Sequence, residues 1–225
     1  MNLDEAVERL DALFAEVRQA LLIDDKTTLG SVLALRREER LINEGASEFD
    51  VVVFGDLNDF KHLNDEHGHD AGNVALRKVG ETINTLVGQD LPIKAFRQSG
   101  DEFVILLKRE LIEGFVSTSS SAFGKIPFIY NEAELRTAMS FGYAISDGKA
   151  SFSDLLGRAE VACQYAKVRG DGACIEWTSN IELNPLVRLG SRCEKCGARI
   201  SCNVSQQSAP LRLGSCPCCG ELLPT

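Results

Sequence analysis

The sequence lacks several things, and each absence narrows what the chain can be. No apolar run approaches the roughly 18–20 residues that span a bilayer, so a membrane-embedded protein is not expected. The opening Met1-Asn2-Leu3-Asp4-Glu5 has no basic segment leading into an apolar core, so no secretory leader is read and the expected address is the cytoplasm. Basic charge is also short, with 24 Lys and Arg against 33 Asp and Glu and a formal net charge of −9. Duplex nucleic acid wants a basic face, so it is not an expected partner. A nucleotide substrate stays open, because a metal ion can mediate the contact. No internal repeat and no sensor domain is visible among the 225 residues.

What the chain has instead is cysteine. Two of the eight, Cys163 and Cys174, stand mid-chain, and the other six crowd into residues 193–225. In a reducing compartment such a cluster reads as metal ligands rather than disulfides. Cys193-x-x-Cys196-Gly197 and Cys216-x-x-Cys219-Gly220 are two knuckles, with nineteen residues between Cys196 and Cys216. That pattern predicts a zinc ribbon, with Cys193, Cys196, Cys216 and Cys219 around one structural Zn²⁺. Cys202 and Cys218 are left over, and either can replace a ligand. Residues 190–225 carry four basic residues against two acidic ones, a surplus that a four-thiolate zinc site cancels. The ribbon is therefore expected to dock a protein partner, contact a dimer mate or cap the C-terminus rather than grip nucleic acid.

Four segments follow from the pattern. Residues 1–25 read as one helix, because Leu3, Val7, Leu10, Phe14, Val17 and Leu21 recur at alternating spacings of four and three. That heptad seam fits a short dimerising coiled coil, and packing on the chain's own domain is the other reading. Residues 26–180 mix strand-like and helix-like stretches, 181–192 read as a linker, and 193–225 as the ribbon. Within 26–180, Asp50–Phe54 and Ala138–Ile145 are predicted strands. Lys94–Arg97 and Phe103–Leu107 are expected as a hairpin around Ser99-Gly100-Asp101. Residues 70–87 are expected as a helix. A helix capped by Ser153 is expected to run to Arg169, followed by a short strand at Ala173–Trp177. Ser117–Ser121 reads as a loop.

Two acidic patches stand at strand ends: Asp56 to Lys61 after the apolar strand, and Asp101-Glu102 in the hairpin turn. Carboxylates from two neighbouring strands can hold Mg²⁺, which prefers oxygen and keeps room for phosphates. Backbone N–H groups of Asn58 to Lys61, with the Lys61 ammonium, suit a phosphate cradle.

Four stretches, in order over residues 26–178, resemble the GGDEF (diguanylate cyclase) family. Asp56-Leu57-Asn58-Asp59-Phe60-Lys61 through Asn73 is similar to D-x-D-x-F-K-x-x-N-D-x-x-G-H-x-x-G-D. Arg97 to Phe103 is similar to R-x-G-G-D-E-F, Ser140 to Ala144 to S-x-G-x-A, and Ala166 to Gly170 to A-K-x-x-G. The resemblance implies an α+β, ferredoxin-like palm of the nucleotide-cyclase and polymerase type, with a mostly antiparallel sheet. It implies a two-metal synthase that condenses two NTPs into a cyclic dinucleotide such as cyclic di-GMP across a homodimer. Mapped onto this chain, Asp56, Asp101 and the Leu57 carbonyl hold Mg²⁺ or Mn²⁺, and Glu102 supports the metal site or the 3′-OH. Asn58, Phe60, Lys61, Asn64, Asn73, Gly100, Lys167 and Arg169 form the nucleotide set.

The chain departs from that pattern at telling positions. Asn58 stands for the second Asp of D-x-D, and Ser99 for the first Gly of the hairpin. Asn73 stands for the Asp that reads guanine; an amide offers one acceptor and one donor, which also suits adenine, so GTP and ATP both stay open. Asp171 stands for a phosphate-binding Arg, with Arg169 as the nearby substitute. The family's R-x-x-D product site is absent at Asp90–Ile93. These changes keep a second reading in view: a degenerate GGDEF-like nucleotide binder that signals through its ribbon. A template-gripping palm is a third, and the acidic charge disfavours it.

Overall fold

The computed structural model describes residues 3–88, 91–178, 186–192 and 199–203. In chain order, α1 (Leu3–Ala20) and α2 (Val32–Asn43) precede β1 (Val51–Leu57), α3 (Phe60–His67) and α4 (His69–Val87). The hairpin β2 (Ile93–Ser99) and β3 (Glu102–Leu107) follows, then α5 (Ile112–Phe123) and a second hairpin, β4 (Ile126–Tyr130) and β5 (Ala133–Thr137). β6 (Met139–Ile145), α6 (Phe152–Arg169) and β7 (Cys174–Glu176) complete the main sheet, and β8 (Leu186–Arg192) pairs with β9 (Arg199–Asn203).

The central sheet runs β2-β3-β1-β6-β7, antiparallel throughout except for the parallel β6–β7 pair. β1 is apolar at nearly every position because both faces are covered. The strand's two-residue period sends Val51, Val53 and Leu57 toward α4 and α5. Val52 and Phe54 point toward α2 and α6, and so by the same alternation does Asp56. β3 repeats the division, with Phe103, Ile105 and Leu107 on one face and Val104 and Leu106 on the other. No helix among the described residues is long and apolar enough to cross a membrane.

One close approach sets where α6 lies. A Cβ on Gly142 of β6 would sit 2.1 Å from the Cys163 amide nitrogen and 2.2 Å from the Ala159 carbonyl oxygen. The helix therefore rests directly on the strand, and Cys163 Sγ donates to the Ser140 carbonyl at 3.2 Å. One turn beyond Cys163, Lys167 is carried over the end of β1.

Several expectations are corrected. The α6 cap is Ser151, not Ser153; Ser151 and Asp154 form a reciprocal capping box. Ser117–Ser121 lie inside α5, not in a loop. Ile112, Phe115, Ser119 and Phe123 form a buried stripe, while Ser117, Thr118 and Ser121 return their hydroxyls to helix carbonyls. Residues 186–192, read as linker, are β-strand, in register with 199–203. Cys193, Cys196, Cys216 and Cys219 lie outside the described residues, as does Cys218. The seam of α1 faces solvent, with Val7, Leu10, Phe14, Val17 and Leu21 all about half exposed.

Gly142→Ala should drive backbone against backbone. We expect a loss of about 2–3 kcal/mol in urea unfolding, against a gain of up to about 1 kcal/mol for Ala at the uncrowded Gly157 in the interior of α6.

Candidate functional site

β1 is the middle strand, so its end gathers residues from both neighbours. Asp56 stands opposite Glu102 on β3 and Ser140 on β6. Alternation turns Asp56 and Glu102 to the α6 side, where the Lys167 ammonium pairs with the Asp56 carboxylate. The pair is nearly out of water, with Lys167 13% and Asp56 14% exposed. Glu160, further back on α6, adds an acid the sequence reading missed. Burial, then the charge of Glu102, pushes its carboxyl above the usual range.

The turn carrying Asp101 is clamped from two sides. The Leu57 amide donates to the Asp101 carbonyl at 3.1 Å. From the other side, Arg97 donates to the Gly100 carbonyl through Nε at 3.0 Å and Nη2 at 2.8 Å. Gly100 has φ +38, which favours glycine. Ser99 is not among the left-handed residues, so its side chain costs the turn nothing. Its hydroxyl donates to Glu102 Oε2 at 2.5 Å.

Arg97 also reaches Asp24, Nη1 to Oδ2 at 3.1 Å, and Asp24 accepts from the amide and hydroxyl of Thr27 at 2.9 and 2.7 Å. Burial alone would raise the Asp24 carboxyl. The hydrogen bonds from Thr27 and the Arg97 guanidinium outweigh burial and hold it below the usual carboxylate range. The sequence reading missed Asp24; an acid three residues before a Thr, just ahead of the buried Leu29, was the available signal.

The remaining residues fall into two groups. Asn64 on α3 and the start of α4 meet at Gly72, where a Cβ would lie 2.0 Å from Asn64 Oδ1. Asn73 is the next residue along α4. Phe60 packs against the apolar core and fixes α3 rather than offering a free face. Lys61 is exposed at the start of α3, whose first N–H groups have no helical acceptor. The Asn58 amide is excluded from any phosphate cradle, since it donates to the Ala138 carbonyl at 2.8 Å. Arg169, two residues past Lys167, lies roughly 200° around the helix and is exposed. The structure does not bring it to Asp56 as Lys167 is brought.

Hard oxygen donors dominate this corner: the Asp56 and Glu102 carboxylates, the Asp101 turn and the Leu57 carbonyl. Oxygen donors of this kind fit a divalent cation, and the Lys167 ammonium meets the Asp56 carboxylate beside them. Among the described residues no three acidic, histidine or cysteine side chains converge into a metal cage.

A family model, described as diguanylate cyclase, GGDEF domain, matches residues 23–173. The chain belongs to the GGDEF domain family. The match opens just before Asp24 and closes just after Asp171, leaving α1 and the cysteine-rich segment outside it. Curated diguanylate cyclases are among the proteins the chain is similar to. Diguanylate cyclase DgcN of Escherichia coli is 31% identical over 174 residues, which cover 73% of this chain and 42% of DgcN. The bifunctional diguanylate cyclase/cyclic di-GMP phosphodiesterase MucR of Pseudomonas aeruginosa is 28% identical over 172 residues, covering 75% and 24%. The GGDEF chain thus spans less than half the length of these relatives. The coiled coil and GGDEF domain of DgcB from Caulobacter crescentus, solved with c-di-GMP, superposes with a TM-score of 0.66 at 22% identity. That match covers 77% of this chain and 94% of the other and establishes the common α+β fold.

Because the Asp24 carboxyl is held low, its contribution to stability is present at neutral pH and is lost as pH falls through its folded-state value. Asp24→Asn should melt earlier than wild type at pH 7, with the gap closing below about pH 4. Thermal melts from pH 7 to pH 3 read this directly.

Proposed function

We propose that this GGDEF domain is a cyclic dinucleotide synthase that uses Mg²⁺ or Mn²⁺ and condenses two NTPs head to tail across a homodimer. The observation that carries the reading is the placement of Asp56 opposite Glu102, beside the clamped Asp101 turn, with Lys167 over Asp56. Bound metal would neutralise the triphosphate and stabilise the attacking and leaving oxygens. Asp56, Asp101 and the Leu57 carbonyl would hold that metal, and Glu102 would orient it or accept the 3′-OH proton. Lys167 and Lys61 would meet the phosphates, while Asn64 and Asn73 would bond the base edge. Asn73 suits adenine as well as guanine, so GTP, ATP or both are substrates.

One such site holds one nucleotide, so the chemistry needs two sites face to face. The exposed heptad seam of α1 supplies a means of pairing two copies. The DgcB structure likewise joins a coiled coil to a GGDEF domain. For the C-terminal segment we propose a Zn²⁺ ribbon on Cys193, Cys196, Cys216 and Cys219 that docks a protein partner. The spacing supports it, as does the first knuckle falling between the paired strands β8 and β9. Asp171 favours one competing reading, a nucleotide-binding GGDEF-like signalling protein without turnover, because an acid near the phosphate end opposes polyphosphate.

Incubation of the purified chain with Mg²⁺ and GTP, ATP or both, followed by product identification, decides between them. We expect a cyclic dinucleotide, with Asp101→Ala lowering turnover by about two to three orders of magnitude while the fold is kept. Nucleotide binding without any product would establish the non-enzymatic reading.

A further inference from the structure

Asn58 and Asp171 are separate departures in the sequence, and in the fold they touch. Asn58 Nδ2 donates to Asp171 Oδ1 at 2.6 Å. The same amide shares a hydrogen bond with the Ser140 hydroxyl, with Nδ2–Oγ at 3.0 Å and Oγ–Oδ1 at 3.1 Å. Both backbones are fixed. The Asn58 amide is bound to Ala138, and the Gly172 amide donates to the Met139 carbonyl at 2.7 Å. Gly172 has φ +76, and a Cβ there would lie 2.7 Å from Ser120 Cα, so the turn bearing Asp171 is seated against α5.

The chemistry of each position follows from the other. With Asp at 58, as in the family pattern, two carboxylates would stand a hydrogen bond apart. Asn58 removes that repulsion and presents a donor instead. An Arg at 171 would meet that donor rather than an acceptor. The acid–cation order of the family pattern is thus replaced here by donor–acid, and complementarity survives with its direction reversed.

We infer that Asn58 and Asp171 are a coupled pair, and that Asp171 sets specificity at the phosphate end of the site by making polyphosphate binding depend on metal. The carboxylate is bonded to the residue two positions past Asp56, and on the nucleotide-site reading it repels a triphosphate there unless divalent cations screen the charge. The second half rests on the nucleotide-site reading above, and the pairing does not.

Two experiments separate them. In thermal melts of the full chain, Asn58→Asp should lower Tm by about 3 °C, and Asp171→Arg added to it should restore most of that loss. Strictly additive effects would overturn the coupling. In calorimetry with the non-hydrolysable β,γ-imido analogues of GTP and ATP, Asp171→Asn should tighten binding about fivefold without Mg²⁺. With saturating Mg²⁺ the gain should shrink, and GMP and AMP should gain less than the triphosphates. An equal gain for mono- and triphosphates, or no gain, would overturn the specificity role. If neither protein binds any nucleotide while the melts are non-additive, the nucleotide reading and Asp171's role in it fall, and the pairing is upheld.

Discussion

Asp56 and Lys167 meet at the end of the central strand with little water around either. A buried charge left alone is destabilising by several kcal/mol, so each group constrains the other's surroundings. Lys167 can reach Asp56 only because α6 lies flat on β6, and it does so only because position 142 has no side chain. Asp56 can face α6 only because the alternation of β1 holds to the strand's end. The ammonium therefore sits against the Asp56 carboxylate. A metal–nucleotide complex entering this corner would take over that role and free the lysine to meet phosphate.

A second constraint works through the hairpin turn. Arg97 bonds the Gly100 carbonyl with one edge of its guanidinium and Asp24 with another. Asp24 sits a few residues beyond the end of α1. The segment after α1 and the acidic turn are thus joined through Arg97.

The parts legible from sequence were those whose signal is local. The apolar run of β1 and the Ser-Gly-Asp turn announced a buried strand and a hairpin, and the fold contains both. α5 was hidden because hydroxyl-rich composition favours loops, and its buried stripe includes Ser119 beside Ile112, Phe115 and Phe123. The β4–β5 hairpin was missed because its turn uses Asn131 and Glu132 in left-handed conformations, without the usual glycine. In the site, Asn58 was legible as a departure. Its bond to Asp171 bridges 113 positions, and the capture of its amide by Ala138 depends on the pairing of β1 with β6. Neither leaves a mark in local pattern.

We propose that Asp56 and Asp101 hold metal for a nucleotide and that Lys167 yields its place to it. A crystal structure with Mn²⁺ and a non-hydrolysable triphosphate tests this most directly. The account predicts anomalous density coordinated by the Asp56 and Asp101 carboxylates, with Lys167 swung from Asp56 onto a phosphate. Nucleotide bound with no metal at Asp56, and Lys167 still paired to it, would contradict the claim.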